Sequence, residues 1–205
     1  MKRCFDLLFA GLALLVLLPV LGLVYLGVLL TLGRPVLFRQ RRAGLHGRPF
    51  TLVKFRTMTP GDPALGTLGN TTTDGIRLTA FGRFLRAASM DELPTLWNVV
   101  RGEMSLVGPR PLLLEYLPRY SLEQARRHQV RPGITGLAQV HGRNALTWED
   151  RLSYDVSYVD SRSFLLDLRI LILTVRSVLR RTGITTDGSP TSLVFTGSNR
   201  LAADE

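Results

Sequence analysis

An almost uninterrupted apolar segment near the amino terminus constrains this chain most. Residues 5–32 contain a single charged side chain, Asp6. As one straight helix they would measure roughly 40 Å, whereas the hydrocarbon core of a bilayer is about 30 Å thick. A cleaved signal peptide has a shorter apolar stretch that ends in small residues at a cleavage site, and neither is present. The sequence therefore predicts a membrane segment that persists in the mature protein.

Pro19 lies near the middle of this segment. A proline removes one backbone hydrogen bond and clashes with the preceding turn, so we expect a sharp kink. Lys2 and Arg3 precede the segment and four arginines follow it within 34–42, so the positive-inside rule assigns no direction. Two arrangements remain open. One is a re-entrant helix that enters one leaflet and returns, and the other is a tilted single span that tolerates its proline.

Basic residues are concentrated around this segment. Residues 1–60 hold nine lysines and arginines and one acidic side chain, a local excess of 9 − 1 = +8, in a chain of net charge +10. Because the excess flanks an apolar stretch, it favours lipid headgroups over nucleic acid as the anionic partner. The single cysteine, Cys4, and the three histidines lack the spacing of a zinc site.

The remaining sequence predicts a mainly helical α+β domain. Two apolar runs within 34–58 predict a β-hairpin that places Lys54 and Arg56 on one face of its second strand. A Gly-, Thr- and Pro-rich stretch at 59–75 predicts a loop. Apolar periodicity predicts helices at 82–88, 93–101, 112–128, 148–158 and 164–181. We divide the chain into a membrane anchor (1–33), one catalytic domain (34–183) and a polar tail (184–205).

The helix at 164–181 has an unusual distribution of charge. Three of its arginines fall within one angular sector, while apolar residues occupy the others. Those arginines are Arg169, Arg176 and Arg180. The pattern is typical either of a helix at a membrane interface, with arginines at headgroup level, or of a core helix with an exposed basic face.

Two adjacent acids stand in the segment Ser89-Met90-Asp91-Glu92-Leu93-Pro94. A proline is best tolerated in a first helical turn, so Asp91 and Glu92 should lie at or next to a helix N-terminus, where the helix dipole favours ionised carboxylates. An ionised carboxylate binds a hard cation such as Mg²⁺ or attacks an electrophilic phosphorus. Taken alone, this motif is more typical of a helix cap, with Ser89 and Glu92 as a capping box.

Several arginines occur next to turn-forming residues. Arg110 stands between Pro109 and Pro111, which restrict the local backbone and suit a preorganised phosphate contact, although a solvent-facing turn is the alternative. Arg143 lies in a Gly-Arg-Asn turn, and Arg86 lies shortly before the acid pair. Several arginines around two carboxylates, on a chain with a lipid anchor, predict a phosphate-rich substrate handled at a membrane surface.

These motifs together resemble those of the bacterial monotopic phosphoglycosyl transferases, the PglC-like small sugar transferases. The resemblance covers about residues 2–183 in order. Its text comprises Lys2-Arg3, Phe5-Asp6, the proline-broken apolar segment, Val53-Lys54-Phe55-Arg56-Thr57-Met58, Ser89-Met90-Asp91-Glu92-Leu93-Pro94, Gly102-Glu103-Met104-Ser105-Leu106-Val107-Gly108-Pro109-Arg110-Pro111, Arg131-Pro132-Gly133-Ile134-Thr135-Gly136-Leu137-Ala138-Gln139 and Gly142-Arg143-Asn144. His141 departs from the pattern, since relatives often place asparagine there.

The resemblance implies a reaction and a set of site residues. Members transfer a sugar 1-phosphate from a UDP-sugar to undecaprenyl phosphate in two steps, releasing UMP. Asp91 would be the nucleophile that carries the phosphosugar and a ligand of Mg²⁺, with Glu92 as its partner acid. The phosphate- and nucleotide-binding residues implied by the family are Lys54, Arg86, Arg110, Arg143 and Asp155. For Asp155, a surface or helix-bonded aspartate is the alternative.

The resemblance also implies an architecture and a location. We expect a monotopic protein on the cytoplasmic face of the bacterial inner membrane, with a re-entrant helix broken at Pro19, a small β-hairpin and interfacial amphipathic helices. Membrane lipids are then partners, nucleic acid is not, and a homodimer is left open. The main competing hypothesis is a non-enzymatic scaffold with a basic membrane-facing surface, for which Asp91 would be dispensable.

Overall fold

The computed structural model describes residues 2–60, 77–142, 146–180 and 194–197, with only the backbone of residues 179 and 180. The predicted mainly helical architecture with a small hairpin is confirmed. The helices are α1 (Lys2–Val16), α2 (Leu18–Leu32), α3 (Ala80–Ala87), α4 (Thr95–Arg101), α5 (Leu122–Ala125), α6 (Leu137–His141), α7 (Trp148–Ser161) and α8 (Phe164–Arg180). The strands are β1 (Leu37–Ala43), β2 (Pro49–Phe55), β3 (Ser105–Val107) and β4 (Gly133–Thr135).

α1 and α2 form a bent pair. Their axes differ by 62°, and Pro19 lies in the first turn of α2, where a missing N–H removes no intrahelical hydrogen bond. In the described part of the chain no single helix is long and apolar enough to cross a membrane, whereas these two together meet that criterion by length and composition. Many of their apolar side chains are exposed, including Leu8, Leu15, Leu23 and Leu30.

α1 is joined to the rest of the protein by polar contacts at its amino-terminal end. The buried carboxylate of Asp6 accepts hydrogen bonds from the hydroxyl of Ser105 (2.8 Å) and from the backbone N–H of Leu106 (3.2 Å) in β3. Arg3 donates to the carbonyls of Val99 and Val100, near the C-terminus of α4, at 2.7 and 3.1 Å. α1 therefore packs directly against residues on the other side of the predicted boundary at 33/34.

β1 and β2 form the predicted antiparallel hairpin. Phe50 and Leu52 of β2 are buried in a core cluster with α1 and α4, and Lys54 follows them on the same face. Arg56, just beyond β2, donates to the carbonyls of Leu32 and Gly33 at the C-terminal end of α2. Both cations therefore have negative partners. Arg56 meets the C-terminus of α2, which carries partial negative charge, and Lys54 pairs with Glu92.

A second pair of strands was not predicted. β3 and β4 run parallel, with Ser105 opposite Gly133, and just beyond β3 the backbone N–H of Gly108 donates to the carbonyl of Thr135 at 2.9 Å. A Cβ on Gly133 would lie 2.1 Å from the backbone nitrogen of Gly108, so only glycine permits this approach. Strands of three residues show no measurable alternation, which is why the sequence pattern missed them.

The prediction of a helix at 112–128 is correct only in part, because the stretch is not one continuous helix. This stretch contains 3-10 turns at Leu114–Arg119 and Arg126–Gln129 with the four-residue α5 between them. Pro118 interrupts the helical hydrogen bonds, and Ser121 starts a new helix through a capping box with Gln124. The remaining predicted helices correspond to α3, α4, α7 and α8.

α8 packs one side against the domain and leaves another open. Ile170 and Asp167 are buried, whereas apolar residues on another side are exposed. Those residues are Leu165, Leu168, Ile172 and Val175. A core helix with only a basic exposed face does not account for this arrangement. The side chain of Arg180, most of the predicted loop at 59–75 and most of the tail at 184–205 lie outside the described residues.

Replacing Gly133 by alanine tests the close approach of β3 and β4. The added methyl group would force the backbone of Gly108 away, and we expect a destabilisation of about 1–3 kcal/mol together with displacement of Arg110. Thermal unfolding of the detergent-solubilised protein measures it. Gly11→Ala is the control, because nothing lies within 4 Å of its added Cβ and alanine favours a helix interior. Equal melting temperatures for the two variants would contradict the structural role of Gly133.

Candidate active site

The acid pair lies in a 3-10 turn, Met90–Glu92, that leads into α4. Ser89 has a left-handed backbone (φ 55°) and makes no side-chain cap. The side chain of Glu92 points instead to two cations, as described next. The capping-box alternative is therefore not the arrangement in the structure, although the acids do lie next to a helix N-terminus as predicted.

Glu92 is held between Lys54 and Arg110. A single oxygen, Oε1, accepts from Lys54 Nζ at 2.5 Å and from Arg110 Nη2 at 2.8 Å. Burial alone would raise the pKa of Glu92, but the Arg110 guanidinium and the Lys54 ammonium outweigh it and hold that pKa well below its usual range. Glu92 is therefore a fixed anion at neutral pH.

Lys54 reaches Glu92 because a buried asparagine binds β2 to α4. Asn98 accepts a hydrogen bond from the backbone N–H of Val53 at 3.2 Å and donates to the carbonyl of Thr51 at 2.7 Å. Its amide also donates to Glu103 at 2.6 Å. These bonds fix the strand register relative to the helix that follows the acid pair, so the cation and the acid meet.

Arg110 is positioned from behind by a buried ion pair. Arg127 donates to Asp155 Oδ2 from Nε (3.0 Å) and Nη2 (2.6 Å), and its Nη2 also donates to the backbone carbonyl of Arg110 at 2.7 Å. The side chains of Arg127 and Asp155 are each 1% exposed. Asp155 holds the buried guanidinium of Arg127 in place. The hydrogen bond from Arg127 to the carbonyl of Arg110 therefore fixes the turn that carries Arg110.

Asp91 differs from its neighbour. Within the described part of the chain its carboxylate forms no hydrogen bond or ion pair. Burial and the adjacent charge of Glu92 raise its pKa above the ordinary value, while Lys54, Arg86 and Arg110 act in the opposite direction. The two acids thus differ: Glu92 is an anion bound by two cations through one oxygen, and Asp91 has a raised pKa and no such contact among the described residues.

A small cavity of about 50 Å³ adjoins these side chains. Its lining combines apolar residues with cations and one acid. The residues are Arg42, Leu52, Lys54, Glu92, Thr95, Met104, Arg110, Pro111, Leu112, Gly133 and Ile134. A cavity of this size can hold a small anionic group, and its polar lining can donate several hydrogen bonds to that group.

The predicted site residues occupy different places. Lys54, Glu92 and Arg110 are in direct contact, and Asp91 adjoins them. Arg86 donates from Nε to the buried hydroxyl of Thr57 at 3.0 Å. Asp155 lies behind the site, buried against Arg127, so a substrate contact through it stays a prediction. Arg143 lies outside the described residues, and Pro19 belongs to the bent helix pair.

Sequence reasoning missed three residues that shape the site: Arg42, Asn98 and Arg127. Asn98 could have been found as a polar residue among the apolar positions of α4, between Trp97 and Val99. Arg42 and Arg127 each stand beside a second arginine, so nothing local distinguishes them.

The described residues do not form a complete protein metal site. No three His, Cys, Asp or Glu side chains converge in the described part of the chain. Asp91 has a free carboxylate, and carboxylate oxygen is a preferred ligand of Mg²⁺, which usually keeps waters and binds substrate phosphates as well. The residues therefore fit a magnesium ion held by Asp91 together with a phosphorylated substrate.

Comparison with known proteins places the chain in a family. The model of the family described as bacterial sugar transferase matches residues 1–181. The chain belongs to this family. It is 52% identical over 204 residues to the uncharacterized sugar transferase EpsL of Bacillus subtilis, covering 99% of each chain. The resemblance drawn from the motifs is confirmed, and the protein is a sugar transferase.

Other members of the sugar transferase family carry more specific names. The UDP-glucose:undecaprenyl-phosphate glucose-1-phosphate transferase of Xanthomonas campestris is 42% identical over 186 residues, covering 87% of this chain and 38% of its own length. The exopolysaccharide production protein ExoY of Sinorhizobium fredii is 40% identical, covering 86% of this chain and 84% of its own. This chain thus spans well under half of the Xanthomonas relative.

Replacing Glu92 by glutamine tests the electrostatic link between the acids. Because the charge of Glu92 raises the pKa of Asp91 and the cations lower it, we expect Asp91 to titrate at lower pH in Glu92→Gln. Carboxyl ¹³C NMR titration of Asp91 measures the midpoint. Glu123→Gln, on an exposed surface ion pair, is the control and should leave the midpoint unchanged. An unchanged or higher midpoint in Glu92→Gln would contradict the proposed electrostatics.

Proposed function

We propose that this chain transfers a sugar 1-phosphate from a UDP-sugar to undecaprenyl phosphate and releases UMP, as an early membrane step of glycan or exopolysaccharide assembly. Relatives named for glucose 1-phosphate transfer to undecaprenyl phosphate support the donor and acceptor classes. The observation that carries the mechanism is the division of the acid pair: Glu92 binds two cations, whereas Asp91 has a raised pKa and no hydrogen bond or ion pair from its carboxylate among the described residues.

The free carboxylate of Asp91 serves as the nucleophile. In the first step an Asp91 oxygen attacks the β-phosphorus of the UDP-sugar, an aspartyl O–P bond forms, and the O–P bond to UMP breaks with its electron pair on UMP. In the second step a phosphate oxygen of undecaprenyl phosphate attacks the same phosphorus. The bond to Asp91 then breaks, which regenerates the carboxylate and yields the undecaprenyl diphosphate sugar.

Glu92 has a supporting role in this proposal. Its carboxylate is fixed by Lys54 and Arg110, so its charge and position persist while Asp91 changes from a carboxylate anion to an acyl phosphate. The two cations lie where they can also face phosphate oxygens, since Lys54 retains further N–H donors and Arg110 is partly exposed. Glu92 thereby orients the cations as well as the turn that carries Asp91.

Magnesium is part of the proposal as a group that arrives with the donor. When bound, it would neutralise charge on the diphosphate. Of the two adjacent acids, Asp91 has no side-chain contact among the described residues and would be the ligand, whereas Oε1 of Glu92 already accepts two hydrogen bonds. Diphosphate and water oxygens would supply the remaining ligands.

We further propose that the protein is monotopic and lies on the cytoplasmic face of the bacterial inner membrane. The bent α1–α2 pair would enter one leaflet and return, with its exposed apolar side chains in lipid. α8 would lie at the interface, because Leu165, Leu168, Ile172 and Val175 leave an apolar side of that helix exposed. Both features would place the acid pair close to the lipid phosphate.

The covalent step can be tested without the lipid acceptor. Purified protein incubated with labelled UDP-sugars and Mg²⁺ should release UMP and gain the mass of one phosphosugar by intact mass spectrometry. Asp91→Asn should form no adduct and lose at least about 10³-fold in turnover, because an amide is a poor nucleophile. Asp160→Asn is the control, an exposed aspartate paired with Arg126.

Two outcomes would count against the proposal. UMP release only in the presence of lipid, with no adduct, would contradict the covalent mechanism. Full activity of Asp91→Asn would favour the scaffold hypothesis.

Membrane topology can be tested by cysteine labelling in intact cells. In a Cys4→Ser background, one variant carries a cysteine added before Met1 and another carries Phe38→Cys, beyond the apolar segment. A re-entrant anchor places both on the cytoplasmic side, so a membrane-impermeant reagent should label neither until the cells are permeabilised. Labelling of one of the two in intact cells would instead demonstrate a single span.

A further inference from the structure

Arg42 is a partly buried cation with no anionic partner among the described residues. It lies in β1 opposite Phe50 of β2, and its side chain lines the cavity beside the acid pair. Its Nη2 donates to the side-chain oxygen of Gln40 at 2.5 Å. Its Nε is buried and has no hydrogen-bond partner. A guanidinium with an unused buried N–H is costly unless a ligand completes its hydrogen bonds.

The charge balance of the cavity indicates what that ligand is. The lining contains three cations, Arg42, Lys54 and Arg110, and one carboxylate, Glu92, so its formal charge is 3 − 1 = +2. The single carboxylate already accepts hydrogen bonds from Lys54 and Arg110. Burial and the charge of Arg110 lower the pKa of Arg42 to about 10, so Arg42 is still protonated at neutral pH, and it forms no ion pair among the described residues.

We propose that Arg42 binds a phosphate group in this cavity, with its Nε–H as one donor. The inference deepens the proposed function and rests on it, because the UDP-sugar and undecaprenyl phosphate both bring phosphate to the same place. The cavity of about 50 Å³ has space for such a group. Guanidinium is suited to it, since its planar N–H groups match phosphate oxygens. Lys54 and Arg110, in contrast, are already oriented by Glu92.

Arg42→Gln tests the inference, with Arg41→Gln as the matched control. Both arginines lie in β1, but Arg41 is exposed and does not line the cavity. Isothermal titration of the detergent-solubilised protein with UDP and, separately, with inorganic diphosphate measures binding. We expect Arg42→Gln to weaken at least one of them by about tenfold to a hundredfold, the usual range for a lost charge-assisted hydrogen bond, and Arg41→Gln to change neither. Binding of both ligands within twofold of wild type in Arg42→Gln, or equal losses in the two variants, would overturn the inference.

Thermal stability separates a ligand-binding role from a structural one. Loss of Arg42 removes repulsion from Arg110 and costs one hydrogen bond to Gln40, so Arg42→Gln should melt at or slightly above the wild-type temperature. Arg42→Lys should recover part of the binding, because it keeps the charge but loses the planar geometry. A melting temperature far below that of wild type would identify Arg42 as a structural residue and overturn the proposal.

Steady-state kinetics distinguish the source of the phosphate. A rise in the donor KM of Arg42→Gln assigns the group to the UDP-sugar, and a rise in the acceptor KM assigns it to undecaprenyl phosphate.

The proposed function can fail separately: if wild type forms no adduct with any UDP-sugar but binds inorganic diphosphate through Arg42, the phosphate site stands and the reaction does not. If adducts form in Arg42→Gln with unchanged dependence on donor concentration and the acceptor KM is also unchanged, the reaction stands and the Arg42 site does not.

Discussion

The shared oxygen of Glu92 is the contact on which the candidate site depends. Lys54 comes from the hairpin, Arg110 from the turn after β3, and Glu92 from the turn before α4, so one carboxylate joins three separate segments. Each cation is fixed by a different set of buried polar contacts. Asn98 aligns the hairpin with α4, and Arg127 holds the backbone of Arg110. The result is a fixed frame beside Asp91, whose carboxylate has no hydrogen bond among the described residues, as the proposed nucleophile requires.

Local pattern predicted much of the fold and part of this frame. The hairpin, the kink near Pro19 and four of the helices follow from periodicity and from proline, since these signals act within a few residues. The acid pair and the cations Lys54 and Arg110 were also identifiable, because the family motifs contain them. Pattern failed at 112–128, where apolar spacing suggested one helix although Pro118 and Ser121 divide the stretch.

The remaining features depend on contacts between residues far apart in the sequence. β3 and β4 are three residues each and pair across 28 positions of sequence, so neither strand has a periodic signal of its own. Packing between separate elements brings Arg127 to Asp155, and it also buries the Nε–H of Arg42 without a hydrogen-bond partner among the described residues. A charged residue in an Arg-rich sequence is assigned to surface or interior only after the elements around it are placed.

The contacts of α1 connect the bent apolar helix pair to the candidate site. Arg3 donates to the C-terminal carbonyls of α4, and the first turn of α4 follows directly from the turn that carries Asp91 and Glu92. Asp6 binds β3, whose continuation carries Arg110. The amino-terminal helix is thus bound to both elements that supply the acid pair and one of its cations. If the bent helix pair rests in one leaflet, these short connections fix the height of the site above the lipid surface, and the phosphate of a membrane acceptor would be met at a constant depth. In that arrangement the contacts of the buried Asp6 and of Arg3 would keep the distance between Asp91 and a lipid phosphate constant, whereas a flexible anchor would let it vary.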